Sequence, residues 1–170
     1  IGDAVNQLVI PVNGKKIETK NLIFELKDHS DKKISFIADL GEGKTIEQVY
    51  HLKKDAYDLD YTININGFDD VSNPKNILFQ WDMAFRKTER LFSEQRRVST
   101  VCFNYKDSGI DYLSEMGDDV ETAENDLNWV AYKQSYFSSI LKPQNSFGKT
   151  GTKMEVTNYP EGHERNWTHL

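Results

Sequence analysis

Cysteine is almost absent from the chain, since Cys102 is the only one among 170 residues. A single thiol cannot form an intrachain disulfide, so the redox state of the protein's compartment cannot be inferred from disulfide bonds. Long apolar runs are also missing, because no stretch approaches the roughly 18 residues that a membrane-spanning helix needs. A basic segment followed by an apolar one, as in a signal peptide, is absent as well. We therefore expect these residues to fold in water.

Nothing in the length or composition requires more than one core. The chain has 170 residues, with 38% hydrophobic and 28% charged, values typical of a globular fold. It begins at Ile1 rather than at a methionine, which predicts a piece of a longer protein. We expect residues 1–170 to form a single domain, with any membrane-spanning segment outside them.

Basic residues are the minority, since 21 Lys and Arg face 27 Asp and Glu for a formal net charge of -6. This balance argues against nucleic acid or an anionic bilayer as the main ligand. Residues 107–128 hold eight acidic side chains and no basic one. Such a run predicts a solvated loop, with an interaction face as the alternative. Basic residues are in excess just upstream, at 86–97, so the two segments can pair locally.

Motifs for catalysis or for metal binding are not found. The four histidines have no spacing that would place two ligands on one helix face, so neither a zinc site nor any other cofactor is predicted. Residues 38–45 end like a phosphate-binding loop, but Ala38 stands where a glycine is needed, and a strand rather than a helix follows. We interpret this stretch as a tight turn and predict no enzyme.

Alternation with a period of two is the strongest pattern in the sequence. Odd positions are apolar and even positions polar from Tyr57 to Asn66, and the same parity returns from Ile77 to Phe85. Because successive side chains of a strand point to opposite faces, each segment predicts a strand with one face in a core and one in water. Asp82 is among the residues predicted to face water.

Weaker alternation marks further strands at 22–26, 34–40, 46–52 and 101–105. Glycine- and asparagine-rich turns separate them, and Asn13-Gly14 suits a two-residue hairpin between residues 9–12 and 15–19. No βαβ rhythm is present. The order of elements therefore predicts an all-β, antiparallel sandwich.

Two segments do not fit the strand pattern and are interpreted as loop or short helix. Thr88–Arg97 fits a short helix capped by Thr88, with Leu91 and Phe92 turned inward. Val120–Ala123 lies in an acidic stretch with little strand propensity. We therefore expect one or two short helices beside the strands.

Residues 125–143 form the most distinctive segment of the chain. They predict a strand entering the core and then a turn. The alternative is a helix that packs through four residues: Trp129, Tyr132, Tyr136 and Ser139. The segment resembles the Trp-x-Ala and Tyr-Phe signature of the large periplasmic domain of YidC-type membrane-protein insertases, on these residues: Trp129, Ala131, Tyr136 and Phe137. The resemblance extends over residues 44–143. It departs from the family at Asn128, where many relatives have glycine, and in an acidic insertion at 118–126.

The resemblance implies an antiparallel β-supersandwich, similar to galactose-mutarotase-like folds, held between the first and second transmembrane helices of an inner-membrane insertase. The domain would then face the periplasm. The family's insertion groove lies in its transmembrane helices, so the resemblance implies no cofactor and no enzymatic activity here. The implied partners are nascent membrane proteins and the Sec translocon components SecD and SecF.

Two classes of function follow. The first is an interaction and scaffold module that assists insertion and folding of membrane proteins, with a basic candidate contact face: Arg86, Arg90, Arg96 and Arg97. The second is a carbohydrate-binding or carbohydrate-processing periplasmic sandwich, suggested by the implied fold and the aromatic content. Trp81 and Phe85 share the parity of core positions, so we expect burial rather than stacking on a sugar. A secreted sandwich without a ligand is a third possibility.

Overall fold

The computed structural model describes residues 4–68, 77–86, 88–157 and 165–169. Contacts between Cα atoms divide the chain into two compact units, of which unit 1 holds residues 1–6 and 80–170 and unit 2 holds residues 7–79. The expectation that residues 1–170 form a single domain stays a prediction.

Strands dominate both units. Among the described residues, fourteen strands, one α-helix and one 3-10 turn follow one another: β1 (Ala4–Val12), β2 (Lys15–Glu18), the 3-10 turn (Thr19–Asn21), β3 (Glu25–His29), β4 (Lys33–Asp39), β5 (Thr45–Leu52), β6 (Leu59–Asn66), β7 (Leu78–Arg86), α1 (Phe92–Arg97), β8 (Thr100–Tyr105), β9 (Gly109–Tyr112), β10 (Asp119–Thr122), β11 (Leu127–Lys133), β12 (Ser138–Leu141), β13 (Lys153–Thr157) and β14 (Arg165–His169). The predicted all-β, sandwich-like class with one or two short helices is confirmed.

Unit 2 begins with the predicted hairpin. β1 pairs with β2 in antiparallel register, with Val12 opposite Lys15. Asn13 and Gly14 both have positive φ, 47° and 76°, as a tight two-residue turn requires. The hairpin prediction is therefore confirmed.

The rest of unit 2 is an antiparallel sheet in the order β3-β4-β5-β6. Residues 41–43 make the turn between β4 and β5, where Lys44 N donates to Gly41 O at 2.9 Å and Thr45 starts a strand. The tight-turn interpretation of residues 38–45 is confirmed. A Cβ on Gly67 would lie 2.3 Å from Gly43 O, so only glycine permits this close approach.

The core of unit 2 lies at one end of this sheet. Leu8, Ile10, Ile46 and Phe68 are buried there, and Ile63 and Ile65 of β6 pack against them. The predicted strand at 57–66 is thus correct in its parity, although β6 starts only at Leu59. The strand predicted at 22–26 is displaced, since β3 begins at Glu25.

Unit 1 contains two groups of antiparallel strands. One is the sheet β12-β11-β8-β9, and the other runs β10-β13-β14-β7. Between them lies a core of buried side chains from both groups: Phe85, Val101, Phe103, Tyr105, Leu113, Ala123, Leu127, Val130, Tyr132, Met154 and Val156. The predicted strand at 101–105 is confirmed, with the expected residues inside.

Asp82 departs from its predicted place. The alternation of β7 assigns it to water, but it is buried, and Gln80 Nε2 donates to its Oδ2 at 2.6 Å. A carboxylate is tolerated inside only when it has such partners. Phe85 is buried and Trp81 is half-buried against Tyr132, as expected for residues of the core.

Both segments interpreted as loop or short helix are corrected in part. Helix α1 is capped by Leu91 instead of Thr88, and Leu91 is exposed rather than turned inward. Residues 119–122 form strand β10, which pairs with β13. Low strand propensity is overridden there because the paired strand satisfies the backbone groups.

Candidate interaction surfaces

A β-bulge in β11 decides which way the signature tryptophan points. Leu127 lies opposite Tyr105 and Trp129 opposite Asn104, so Asn128 is an extra residue between the two pairs. Asn128 Nδ2 donates to Asn104 Oδ1 at 2.7 Å, which fixes the bulge. Leu127, on one side of the bulge, is buried in the core, while Trp129 on the other side is half-buried and turned outward.

Ala131 lies on the same outward face as Trp129. The register places four residues in one row across the sheet, namely Ile140, Ala131, Cys102 and Tyr112. Small side chains occupy the two central strands, and the larger ones at the edge strands are more than half exposed. Trp129 and Ala131 therefore lie on the face of β11 opposite the core cluster, where Ala131 is itself buried. Leu127, Val130 and Tyr132 of the same strand are core residues, so the strand predicted to enter the core within residues 125–143 is confirmed, as is the turn after it.

Cys102 sits on this outward face beside an ion pair. Lys133 Nζ lies 2.5 Å from Glu115 Oε1. Burial raises the pKa of the Cys102 thiol, and only the Lys133 ammonium opposes that rise. A thiol with a raised pKa is a poor nucleophile at neutral pH, so the geometry does not favour catalysis at Cys102.

The aromatic pair of the signature lies in the hairpin between β11 and β12. Gln134 N donates to Phe137 O at 2.9 Å, so the turn itself is formed by two residues. Tyr136 is 80% exposed and Phe137 is 71% exposed. The structure thus separates the signature into Trp129, which faces outward from β11, and an aromatic pair at the exposed tip of the hairpin that follows this strand.

The candidate basic face is spread over a loop and a short helix. Arg90 and Arg97 are exposed and Arg96 is half-buried. Arg97 Nη1 lies 3.3 Å from Glu94 Oε2 within the same helix. Arg86 closes β7, and its side chain, like Lys87, lies outside the described residues.

Gln95 holds this loop and helix together. Its side chain is buried, and its Oε1 accepts hydrogen bonds from Thr88 N at 2.9 Å and Glu89 N at 3.2 Å. Ser99 Oγ donates to Gln95 O at 2.6 Å at the other end of the helix. Sequence reasoning missed this residue because a glutamine on a polar helix carries no signal of burial.

The acidic run is largely structured rather than a solvated loop. Asp119 Oδ2 accepts from Ser114 N at 2.7 Å, and Tyr105 Oη donates to Glu121. Asp126 Oδ1 accepts from Lys149 N at 3.0 Å. Several carboxylates of residues 107–128 therefore stabilise loops of unit 1. Another acidic residue of the run, Glu115, forms an ion pair with Lys133.

Unit 2 has a surface that the alternation did not predict. The apolar face of β3–β6 continues beyond the core, and its outer end is formed by seven residues, called the aromatic shelf: Leu26, Ile34, Phe36, Tyr50, Leu52, Leu59 and Tyr61. Tyr50 and Tyr61 stack with ring centroids 4.8 Å apart, and Phe36 meets Tyr50 edge to face at 6.4 Å. Desolvation and the neighbouring Tyr50 raise the pKa of Tyr61.

Metal chemistry has no support in the part of the chain that is described, where no group of three or more His, Cys, Asp and Glu is arranged to hold an ion. Among the same residues, no helix has the length and apolar character needed to cross a bilayer.

Comparison of the sequence with known proteins identifies a family that the chain matches. The chain matches the family model described as YidC periplasmic domain over residues 7–167. It is 32% identical to Membrane protein insertase YidC of Cytophaga hutchinsonii over 158 residues, which cover 90% of this chain and 25% of that protein. The protein of the same name from Phocaeicola vulgatus is 26% identical over 156 residues, covering 91% of this chain and 25% of the relative.

A third relative, Membrane protein insertase YidC of Bacteroides fragilis, is 23% identical over 154 residues, which cover 89% of this chain and 25% of that protein. The chain thus spans about a quarter of the length of these curated relatives. No solved structure was found to match it. The resemblance stated from residues 125–143 is confirmed, and the chain belongs to the YidC periplasmic domain family.

Proposed function

We propose that this chain is the periplasmic part of an inner-membrane insertase and acts there as an interaction and scaffold module. The observation that supports the proposal most is the family match, which spans both units from residue 7 to residue 167. We extend the proposal to residues 1–170 as one domain that works without enzymatic activity. Its role is to assist insertion and folding of nascent membrane proteins supplied to the parent protein.

No comparison supports the carbohydrate-binding alternative. The aromatic side chains that suggested it are engaged within the fold, since Trp81 lies 4.3 Å from the ring of Tyr132 and Phe85 is buried. A sugar site needs an exposed ring face, and these two residues do not offer one.

We propose that the basic face formed by Arg90, Arg96 and Arg97, together with Arg86, contacts SecD and SecF. Support comes from Gln95, because its hydrogen bonds fix the backbone from which these arginines project. Arginines held on a rigid backbone lose less conformational entropy when they bind a carboxylate-bearing partner. Arg90 and Arg97 are exposed, which leaves them accessible to such a partner.

The test is co-purification of the full-length insertase with SecD and SecF. We expect Arg96→Glu combined with Arg97→Glu to lower recovery of both partners at least several-fold, because like charges across an interface repel. The matched control is Lys15→Glu with Lys16→Glu, which reverses two exposed charges of β2. If the arginine double variant recovers SecD and SecF as the wild type does, this face is not the contact. If the arginine and lysine double variants lose recovery equally, the change in net charge explains the loss.

A further inference from the structure

The aromatic shelf is a continuous apolar surface, ordered in rows by the strand register. Leu52 lies opposite Leu59, Tyr50 lies between Ile34 and Tyr61 in the next row, and Phe36 lies opposite Leu26. Leu52 is 55% exposed and Leu59 is 48% exposed, so none of the residues that the structure describes covers the outermost row fully. Exposed contiguous apolar patches of this kind mark contacts with other proteins or with membranes.

The shelf lacks formal charge, whereas the reverse of the same sheet has many charges. Within the paired strands, the shelf rows contain no Asp, Glu, Lys or Arg, and their polar members are His29 and Gln48. Lys32 borders the outermost row, where its carbonyl oxygen accepts from Leu52 N. On the reverse, Lys27 Nζ lies 3.0 Å from Glu47 Oε1. The outer end of the sheet is therefore amphipathic, with one uncharged side available for an uncharged partner.

Two hairpin ends border the shelf and are joined to each other. Leu52 N donates to Lys32 O at 2.7 Å, which holds the β5–β6 loop beside the β3–β4 loop. Lys53 Nζ lies 2.5 Å from Asp58 and 3.1 Å from Asp60, so this lysine is paired with acidic side chains at the same end of the sheet. Tyr57 is fully exposed in the same loop. Tyrosine and lysine beside aliphatic side chains are typical of proteins at a membrane–water interface.

We propose that the aromatic shelf docks onto the surface of a lipid bilayer made of zwitterionic lipids. The absence of charge on the shelf favours a surface without net charge, and the net charge of -6 opposes approach to an anionic one. The inference rests on the proposed function in one respect, because an insertase places its periplasmic domain beside a bilayer. Docking there would limit the orientations of unit 2 relative to the membrane.

Docking through this shelf should be weak for the free chain and stronger when the chain is tethered to a membrane-spanning segment. A half-exposed leucine gains about half the transfer free energy of a fully buried one, which corresponds to about fivefold in a partition coefficient. Few side chains contribute, so the free chain should require millimolar lipid. Tethering to a membrane-spanning segment supplies an effective concentration of about that size.

The experiment measures sedimentation of the 170-residue chain with sucrose-loaded phosphatidylcholine vesicles over a range of lipid concentrations. We expect binding that falls when phosphatidylglycerol is added. Leu52→Ser combined with Leu59→Ser should lower the partition coefficient by about tenfold or more, since both half-exposed leucines are lost. The matched control is Ile110→Ser with Ile140→Ser, two exposed residues of unit 1, and it should bind as the wild type does.

A second measurement locates the contact without relying on the loss of a side chain. Tyr57→Trp adds a tryptophan in unit 2, where the wild-type chain has none, and brominated lipids should quench its fluorescence. Binding that grows with phosphatidylglycerol, or an equal loss in the control pair, would overturn the proposal. A wild-type dimer that is lost in the leucine variant would also overturn the proposal, because a second copy of the chain would then cover the aromatic shelf. None of these outcomes changes the co-purification test of the proposed function.

Discussion

The two four-stranded sheets make different use of the same pattern. In β12-β11-β8-β9 of unit 1, the apolar residues of β8 are buried along the strand, with Val101 and Phe103 both at 0% exposure. In β3–β6 of unit 2, Ile46 of β5 is buried at one end while Leu52 is 55% exposed at the other. In both sheets, apolar and polar residues alternate with a period of two. The alternation therefore identifies the apolar face of a sheet, but it does not indicate how much of that face is buried.

The difference lies in how far the core reaches along each sheet. The unit 1 core includes residues from β7, β8, β11 and β13, so the central strands of its sheet are covered along their length. The unit 2 core stops near Ile63, and the aromatic shelf lies beyond it. Apolar surface that remains in water stabilises nothing within the fold. The stability of the chain should therefore depend more on unit 1 aromatics than on the shelf.

Tyr132→Ala should have the largest effect. Its ring is fully buried, lies 6.0 Å from Phe85 and contacts Trp81, whose carbonyl oxygen accepts from its hydroxyl. Removing a large buried aromatic costs about 3–5 kcal/mol of unfolding free energy, which equilibrium urea denaturation measures. Tyr136→Ala, at an exposed position of the same hairpin, should stay within about 0.5 kcal/mol of wild type. If the two substitutions lowered the unfolding free energy equally, burial would not explain the difference between these positions.

Gln95→Ala should have the next largest effect. The substitution leaves the part-buried amides of Thr88 and Glu89 without their acceptor. A fully buried donor left unsatisfied costs about 1–3 kcal/mol, and these amides, which water reaches in part, should each cost an amount near the lower end of that range. We expect a loss of about 2 kcal/mol in unfolding free energy, together with faster hydrogen exchange at those two amides. Glu94→Ala serves as the control, because its side chain is exposed and pairs only with Arg97. Unchanged amide exchange in the Gln95 variant would show that the loop is held by other contacts.

Sequence alone predicted the strands better than it predicted the surfaces. The hairpin at Asn13-Gly14 follows from local chemistry, because both positions need positive φ. The parity of β8 follows from side-chain alternation, which needs no knowledge of the partner strands. Both are properties of short segments, and both are confirmed.

Features that depend on distant residues were not predictable in this way. The bulge at Asn128 reverses the parity of β11, so Trp129 points outward although it follows the buried Leu127 by two residues. Asp82 is buried although it stands at a polar position of the β7 alternation, and the exposure of Leu52 depends on where the core ends. The signature residues could thus be identified from the family resemblance, but their direction required the structure.

Alkaline pH should weaken unit 1 through Tyr105. Burial and the hydrogen bond to Glu121 raise the pKa of Tyr105 to about 12. The unfolded chain releases this proton near about pH 10, so the contribution is complete below that pH and is lost as the pH rises to about 12. The loss should be on the order of 2 kcal/mol, seen in urea titrations across this range. Tyr105→Phe should reduce that slope, and the part that remains belongs to Tyr61, whose pKa is also raised. Tyr57→Phe, at an exposed site, should leave the slope unchanged. An undiminished slope in Tyr105→Phe would assign the whole of it to other groups.

Tyr61→Ala should have the smallest effect on stability although, like Tyr132, it removes a tyrosine in ring contact with another aromatic side chain. The Tyr61 ring stacks on Tyr50 at 4.8 Å, but it lies outside the core cluster of unit 2. An aromatic pair contributes about 0.5–1.5 kcal/mol beyond its buried area, and the half-buried ring also loses its own area term, so we expect a total loss of about 1–2 kcal/mol in unfolding free energy. A double-mutant cycle with Tyr50→Ala isolates the stacking energy from the loss of area. If Tyr61→Ala cost as much as Tyr132→Ala, the shelf would be part of the core, and it would not be free to contact a bilayer.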